Sequence, residues 1–211
     1  RVDAVVQSTD KAFLVPVGGG LLFSADEAFV AAVARSYAGR ASAVCAEDML
    51  ITLLEMGRDG LAHLVRERKR LFAVLRERVA HVAEAHGERL LAVPRNPISL
   101  AITMDNHTTT SSTSSGGEKQ PSVGSMLFQR CCSGARMFEL HEPVGTQDVC
   151  GLALANWGCH CSAYRHSYLN VACAVGMEEA DIDVFCKRLD SVLTDFEKAH
   201  HAAAAAPHTG G

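Results

Sequence analysis

The chain has 211 residues, 48% of them hydrophobic and 21% charged, with a net charge of −4. That balance is ordinary for a globular protein and excludes wholesale disorder, a collagen repeat and a broadly basic nucleic-acid face. No run reaches the ~18 consecutive apolar residues of a spanning helix, so no membrane span is expected.

The first residues, Arg1-Val-Asp-Ala-Val5, carry neither a basic n-region nor a small-residue cleavage site, and the chain reads as a piece of something longer. Two short apolar runs, residues 2–6 and 13–17, flank the polar segment Gln7-Ser-Thr-Asp-Lys11. The pattern predicts two buried strands joined by a turn, with Lys11 at a strand end. A lysine so placed has a partly desolvated amine, available as a nucleophile toward an aldehyde. Ser8-Thr-Asp-Lys11 also has the S-x-x-K spacing of penicillin-recognising enzymes, but their S-D-N and K-T-G partners do not occur. Gly18-Gly19-Gly20 lacks the spacing of a phosphate loop and reads as a turn. Ser24-Ala-Asp-Glu27 is a capping box opening a helix through Tyr37, and a second helix is predicted over residues 42–56, stopped by Gly57.

A long helix is predicted over residues 59–87, with Leu61, Leu64, Val65, Leu71, Phe72, Leu75, Val79 and Val82 at helical spacing. Arg68 falls inside that apolar arc. It is read either as an arginine whose stem lies along the core or as a buried pair or phosphate ligand. The basic run from Arg66 to Arg70 is interleaved with Glu67, the pattern of a solvated helix face. Strand-like runs follow at residues 90–93 and 98–104, and then a Thr/Ser/Gly-rich insertion at residues 106–121, expected to be disordered. Residues 123–130 predict a short helix and residues 135–140 a strand. An irregular stretch leads to Tyr168. The closing helix carries Ile182, Phe185, Leu189, Val192, Leu193 and Phe196 on one face, and the tail at residues 201–211 is expected to fray. Strands alternating with helices argue for an α/β or α+β layer arrangement.

Eight cysteines with no secretory signal are expected to stay reduced. Cys45, Cys173 and Cys186 sit in apolar helical patterns and are predicted core thiols. Cys150, Cys159-His160-Cys161 and His166 lack the paired ligand spacing of structural zinc, so no metal site is expected there. Neither H-E-x-x-H nor G-x-G-x-x-G is present.

Seven blocks in order carry a family resemblance: Gln7-Ser-Thr-Asp-Lys11-Ala-Phe-Leu-Val-Pro-Val-Gly-Gly19, Tyr37-Ala-Gly-Arg40-Ala-Ser42, Arg66-Glu-Arg-Lys69, Asn96-Pro-Ile-Ser-Leu-Ala101, Gly124-Ser-Met-Leu-Phe128, Ser133-Gly-Ala-Arg136 and Lys187-Arg-Leu-Asp190. With these the chain resembles the O-phosphoseryl-tRNA(Sec):selenocysteinyl-tRNA synthase family over nearly its whole length. Residues 43–48, the Thr/Ser insertion and residues 138–164 depart from the family pattern.

The resemblance implies an α/β fold that is a fragment of a fold type I, pyridoxal-phosphate-dependent transferase. Residues 1–58 would close the catalytic domain, residues 59–200 would form the small C-terminal α+β domain, and residues 201–211 a tail. It implies Lys11 as the catalytic lysine carrying the pyridoxal 5'-phosphate and Arg40 as the ligand of the substrate phosphate. Arg130 and Lys198 would be tRNA contacts, although each also fits a solvated cation at a helix end. The implied activity converts O-phosphoseryl-tRNA(Sec) to selenocysteinyl-tRNA(Sec) with selenophosphate, in a cytoplasmic homo-tetramer. The rival expectation is a non-catalytic tRNA-binding or assembly module.

Overall fold

The structure is a computed structural model, and it describes residues 2–16, 19–37, 39, 42–108, 121–139, 146–155 and 165–205. The chain divides into two compact units, Arg1–Arg66 and Glu67–Gly211.

In the first unit, β1 (Val5–Ser8) pairs antiparallel with β2 (Gly20–Phe23), from Val5 opposite Phe23 to Ser8 opposite Gly20. Between them lies α1 (Thr9–Ala12), a single turn. The strand expected at residues 13–17 does not form over the described residues 13–16. Val15 N–H donates back to the Thr9 carbonyl (3.2 Å), and Leu14 takes a positive φ of 56°. The apolar run is thereby curled into a loop that buries Val15, and the second strand starts only at Gly20. α2 (Glu27–Ser36) is capped by Asp26, whose carboxylate accepts from Phe29 N–H (3.1 Å). Ser24, the expected cap, instead accepts from Asp26 N–H and donates to the Asp3 carbonyl. α3 (Val44–Ala85) begins in this unit, and at Gly57 the predicted helix stop is a break (φ 59°, ψ −178°) after which the helix resumes.

In the second unit, the remainder of α3 buries Leu71, Leu75, Val79 and Ala83, one residue per turn. The other elements are β3 (Ser99–Thr103), α4 (Val123–Gln129), β4 (Arg136–Phe138), β5 (Thr146–Val149), β6 (Leu152–Ala155), β7 (Tyr168–Ala172) and α5 (Glu179–Ala205). β7 pairs antiparallel with β3 on one side and β4 on the other, giving the order β3-β7-β4. Leu100, Ile102, Leu169 and Val171 of the sheet join Leu127 of α4 and Ile182, Leu189, Val192, Leu193 and Phe196 of α5 in one core. Sheet and helices each have an apolar side to cover, and they cover one another's. Arg78 of α3 pairs with Glu179 (2.5 Å) and Asp183 of α5.

The strand expected at residues 90–93 reduces to a single bridge between Leu90 and Ile102. Conversely, the stretch read as irregular contains the hairpin β5–β6, turned by Cys150 (φ 53°) and Gly151 (φ 81°). A two-residue turn with both φ positive matches the twist of paired strands. Cys173 and Cys186 are core thiols as expected, whereas Cys45 is only half-buried. Of the Thr/Ser insertion, residues 109–120 lie outside the described residues. Near its start His107 is packed, only 1% exposed, while Asn106 is exposed. α5 extends to Ala205, into the segment expected to fray.

Gly87 ends α3 in a Schellman turn, in which Glu88 N–H reaches the Ala83 carbonyl (2.8 Å) and Gly87 N–H the Glu84 carbonyl (3.2 Å). Its φ of 71° is the left-handed position that suits glycine. The turn delivers His86 and Glu88 to a polar network. His86 Nδ1 meets Glu197 Oε1 (2.8 Å) and its Nε2 meets Asp190 (3.0 Å). His107 Nδ1 meets Glu88 (2.9 Å) and its Nε2 the same Glu197 oxygen (3.1 Å). Burial opposes charge on His86, but the hydrogen bonds to Asp190 and Glu197 outweigh it and hold the imidazole above its usual range. Glu88 and Glu197 are likewise desolvated, yet their histidine hydrogen bonds hold both carboxyls below the usual range.

Candidate functional site

The sequence places Lys11 at the end of a strand, and the structure sets it in the single turn α1 that directly follows β1. What fixes this turn is Thr9, which is buried. Its hydroxyl donates to the Gly19 carbonyl (3.1 Å) and accepts from Gly19 N–H (2.8 Å), while Thr9 N–H donates to the same carbonyl (3.1 Å). A Cβ at Gly19 would lie 3.1 Å from that of Cys45, so the chain passes close there. Thr9 is the residue that pattern reading missed. Its only sequence signal is a small β-branched hydroxyl just after an apolar run, and that signal is weak.

The Lys11 side chain is 73% exposed, and its Nζ lies 3.1 Å from the Asp10 carboxylate. In this chain the amine is therefore solvated rather than desolvated, contrary to the expectation from its strand-end position. Asp10 accepts from the Ser8 hydroxyl and from Lys11, and these two contacts hold its carboxyl below the ordinary range.

Arg40 lies outside the described residues. Arg130 is the C-cap of α4, where its guanidinium donates to the Met126 carbonyl (3.3 Å) and pairs with Asp195 of α5 (2.7 Å). Lys198 is exposed on α5, one turn beyond Asp195. The second unit thus brings Arg130 and Lys198 to one stretch of α5, whereas Lys11 belongs to the first unit. Neither cation lines the groove of about 400 Å³ bordered by Leu91, Asn96, Arg165, His166 and Tyr168. Arg68, the arginine in the apolar arc, donates to the Pro97 carbonyl (2.9 Å). Cys150 serves the hairpin turn, and His166 bridges Asp105 (2.6 Å) and Arg89 (3.1 Å). Cys159, His160 and Cys161 lie outside the described residues. No described helix is long and apolar enough to cross a membrane.

The mixed helix-and-sheet fold is similar to part of a solved transferase. The crystal structure of an archaeal O-phosphoseryl-tRNA(Sec) selenium transferase superposes with a TM-score of 0.70 at 28% identity, over 90% of this chain and 38% of that one. The family profile of O-phosphoseryl-tRNA(Sec) selenium transferase, SepSecS, matches residues 1–194, and the chain belongs to that family. The Dictyostelium discoideum O-phosphoseryl-tRNA(Sec) selenium transferase is 36% identical over a 201-residue alignment that covers 92% of this chain and 42% of that protein. The Caenorhabditis briggsae protein of the same name is 36% identical over 93% of this chain and 39% of its own length. The chain therefore spans about two fifths of the length of these relatives.

Proposed function

We propose that this chain is the C-terminal part of an enzyme that converts O-phosphoseryl-tRNA(Sec) to selenocysteinyl-tRNA(Sec) with selenophosphate, working with pyridoxal phosphate in the cytoplasm. The observation that carries the reading is the family match over residues 1–194. Residues 1–58 would then close the catalytic domain and residues 59–200 form the small domain.

Lys11 fits the attachment chemistry of that cofactor, because it offers a reachable primary amine on a turn anchored by Thr9 and Gly19. Pyridoxal phosphate, when bound, supplies an electron sink for charge developing at the substrate α-carbon. Lys11 would hold it and move the α-proton. Arg40 would grip the phosphate of the phosphoseryl group, for which a planar guanidinium is better shaped than an ammonium. Arg130 and Lys198 would contact the tRNA backbone; Lys198 is exposed on α5 and Arg130, at the end of α4, pairs with Asp195 one turn before it, a placement that suits phosphate contacts, which position without reading sequence. An assembly of identical subunits is part of the same proposal.

The first unit is consistent with a longer protein. α2 has no buried residue, and Phe29 and Val33 of α2, Leu50 and Leu54 of α3, and Val6 of β1 are exposed. Apolar faces of this kind are normally covered. We assign the cover to the remaining length of a family-sized chain.

The test is borohydride reduction of the chain, extended by its upstream coding sequence, in the presence of pyridoxal phosphate. Peptide mapping should place the label on Lys11. A label on another lysine, or a protein that binds tRNA but takes up no cofactor, would leave a non-catalytic tRNA-binding module as the reading. In that extended enzyme, Arg40→Lys should cut turnover of phosphoseryl-tRNA by roughly ten- to a hundredfold, the value of one lost charge-assisted bond. Cofactor uptake should not change. Full turnover by Arg40→Lys would remove the phosphate role from Arg40.

A further inference from the structure

The polar network at the end of α3 contains more acceptors than its protons can serve. All four ring nitrogens of His86 and His107 face carboxylate oxygens at 2.8–3.1 Å. An ionised carboxylate only accepts, and a neutral imidazole donates from one nitrogen. Two neutral rings thus supply two donors for four contacts. The two outer contacts use them naturally. His107 Nδ1–H serves Glu88, which is itself oriented by the Thr103 hydroxyl (2.5 Å) and Asn106 N–H (2.9 Å), and His86 Nε2–H serves Asp190. With both rings neutral, what remains is a pair of lone pairs, His86 Nδ1 and His107 Nε2, both aimed at the same oxygen of Glu197.

We propose that His86, His107 and Glu197 form a three-ligand site for a divalent transition-metal ion of the zinc class. The three ligand atoms lie within 4.8 Å of one another. Zinc bonds of about 2.0–2.1 Å set tetrahedral ligand edges near ~3.4 Å, so seating the ion opens the two contacts to Glu197 by a few tenths of an ångström and draws together the two ring nitrogens, which lie within 4.8 Å of each other. A histidine ligand whose second nitrogen donates to a carboxylate is the usual outer support of such sites, and here both histidines have one. Two imidazoles favour zinc, nickel or copper over magnesium or calcium. Glu197 is 38% exposed, which leaves an entry path and a position for water, while His86 and His107 are 8% and 1% exposed.

The competing way to fill the two lone pairs is to protonate both rings. That places two imidazolium groups, with ring centroids 6.2 Å apart, against one carboxylate oxygen. A divalent ion brings the same total charge as one centre between the ligands and leaves both rings neutral, so like charges are not buried side by side.

The probe is cobalt(II), as a zinc surrogate, added to the tag-free 211-residue chain and followed by visible absorption. One equivalent should bind with d–d bands of a tetrahedral nitrogen and oxygen site. His86→Gln and Glu197→Gln should each abolish that binding, and His201→Gln, in the histidine-bearing tail, should leave it intact. Asp190→Asn, which removes an outer support, should weaken binding by about 10- to 100-fold. Circular dichroism of the metal-free variants checks that they remain folded; His86 and Glu197 are chosen because they are less buried than His107. Absence of stoichiometric binding overturns the site. So does a thiolate charge-transfer band, or binding retained in either ligand variant.

Discussion

Cys131 adopts a φ of 59° where α4 ends, with its own N–H on the Phe128 carbonyl (3.0 Å) and Cys132 N–H on the Leu127 carbonyl (2.9 Å). This is the same Schellman turn that Gly87 makes for α3, but with a side chain at the left-handed position, at a cost of about 1–2 kcal/mol. The Cys131 side chain is exposed while Cys132 packs against the core, so the adjacent cysteines have different tasks. Cys131→Gly should relieve the backbone and lose part of the gain to unfolded-chain entropy, ~0.5–1 kcal/mol. The expected result is a melting temperature higher by a few degrees, read by calorimetry. The buried thiol of Cys186 behaves oppositely. Burial pushes it up to about 11, against about 8.5 in an unfolded chain. The folded state therefore keeps a proton that the unfolded state loses, so this contribution to stability is complete below about pH 8.5 and declines as pH rises toward 11. Iodoacetamide at pH 8 should label Cys131 and Cys150 at once and Cys186 only after denaturant. The downward slope of stability above pH 9 should be shallower in Cys186→Ala. The burial of Cys186 was legible in its apolar helical pattern, whereas the left-handed turn at Cys131 was not, because the spacing of cysteines does not report φ.

Long helices announced themselves by period. The residues that α5 buries are those predicted, except that Phe185 is only partly covered, and the buried row of α3 falls within its predicted arc. The second strand of the first unit was misplaced because its opening residue is a glycine, while the run Phe13–Pro16 is drawn into a loop in which Val15 N–H bonds the Thr9 carbonyl. The β5–β6 hairpin escaped for a different reason. Thr146-Gln-Asp-Val149 and Leu152-Ala-Leu-Ala155 are too short and too weakly alternating to stand out, and the turn begins with a cysteine where asparagine or aspartate is the usual signal. Of the candidate site, Lys11 and Arg40 are proposed from family resemblance far more than from pattern, since the exposure of Lys11 depends on partners that local sequence does not encode. Among the elements, α5 does most to close the second unit, and Leu189 on it is fully buried. Leu189→Ala should cost about 2–5 kcal/mol through lost burial and a cavity. Urea unfolding should show a lower midpoint with an unchanged slope if the rest of the unit holds its structure.

At the scale of the whole molecule the two units differ in how far they satisfy themselves. The second has a continuous core drawn from its sheet and three helices, and the first exposes much of its apolar surface. The Thr/Ser-rich insertion tests where the self-sufficient unit stops. Residues 109–120, Thr-Thr-Ser-Ser-Thr-Ser-Ser-Gly-Gly-Glu-Lys-Gln, contain no large apolar side chain, so ordering them has nothing to offset its entropy cost. Replacing them by a six-residue Gly/Ser linker halves that segment, and loop-closure entropy then changes by only about 0.6 kcal/mol, in the stabilising direction. The melting temperature should stay within a few degrees of the parent. Extending the replacement back through His107 should behave differently. His107 is buried and holds Glu88 and Glu197, and its removal takes one of three hydrogen bonds from the Glu88 carboxylate, itself 4% exposed, at a cost of roughly 1–3 kcal/mol. Melting both versions in the presence of a chelator removes any contribution from bound metal. The short replacement should then match the parent and the longer one should fall by several degrees. A large drop with the short replacement would show that residues 109–120 pack, and equal stability of the two would show that His107 contributes little to the fold.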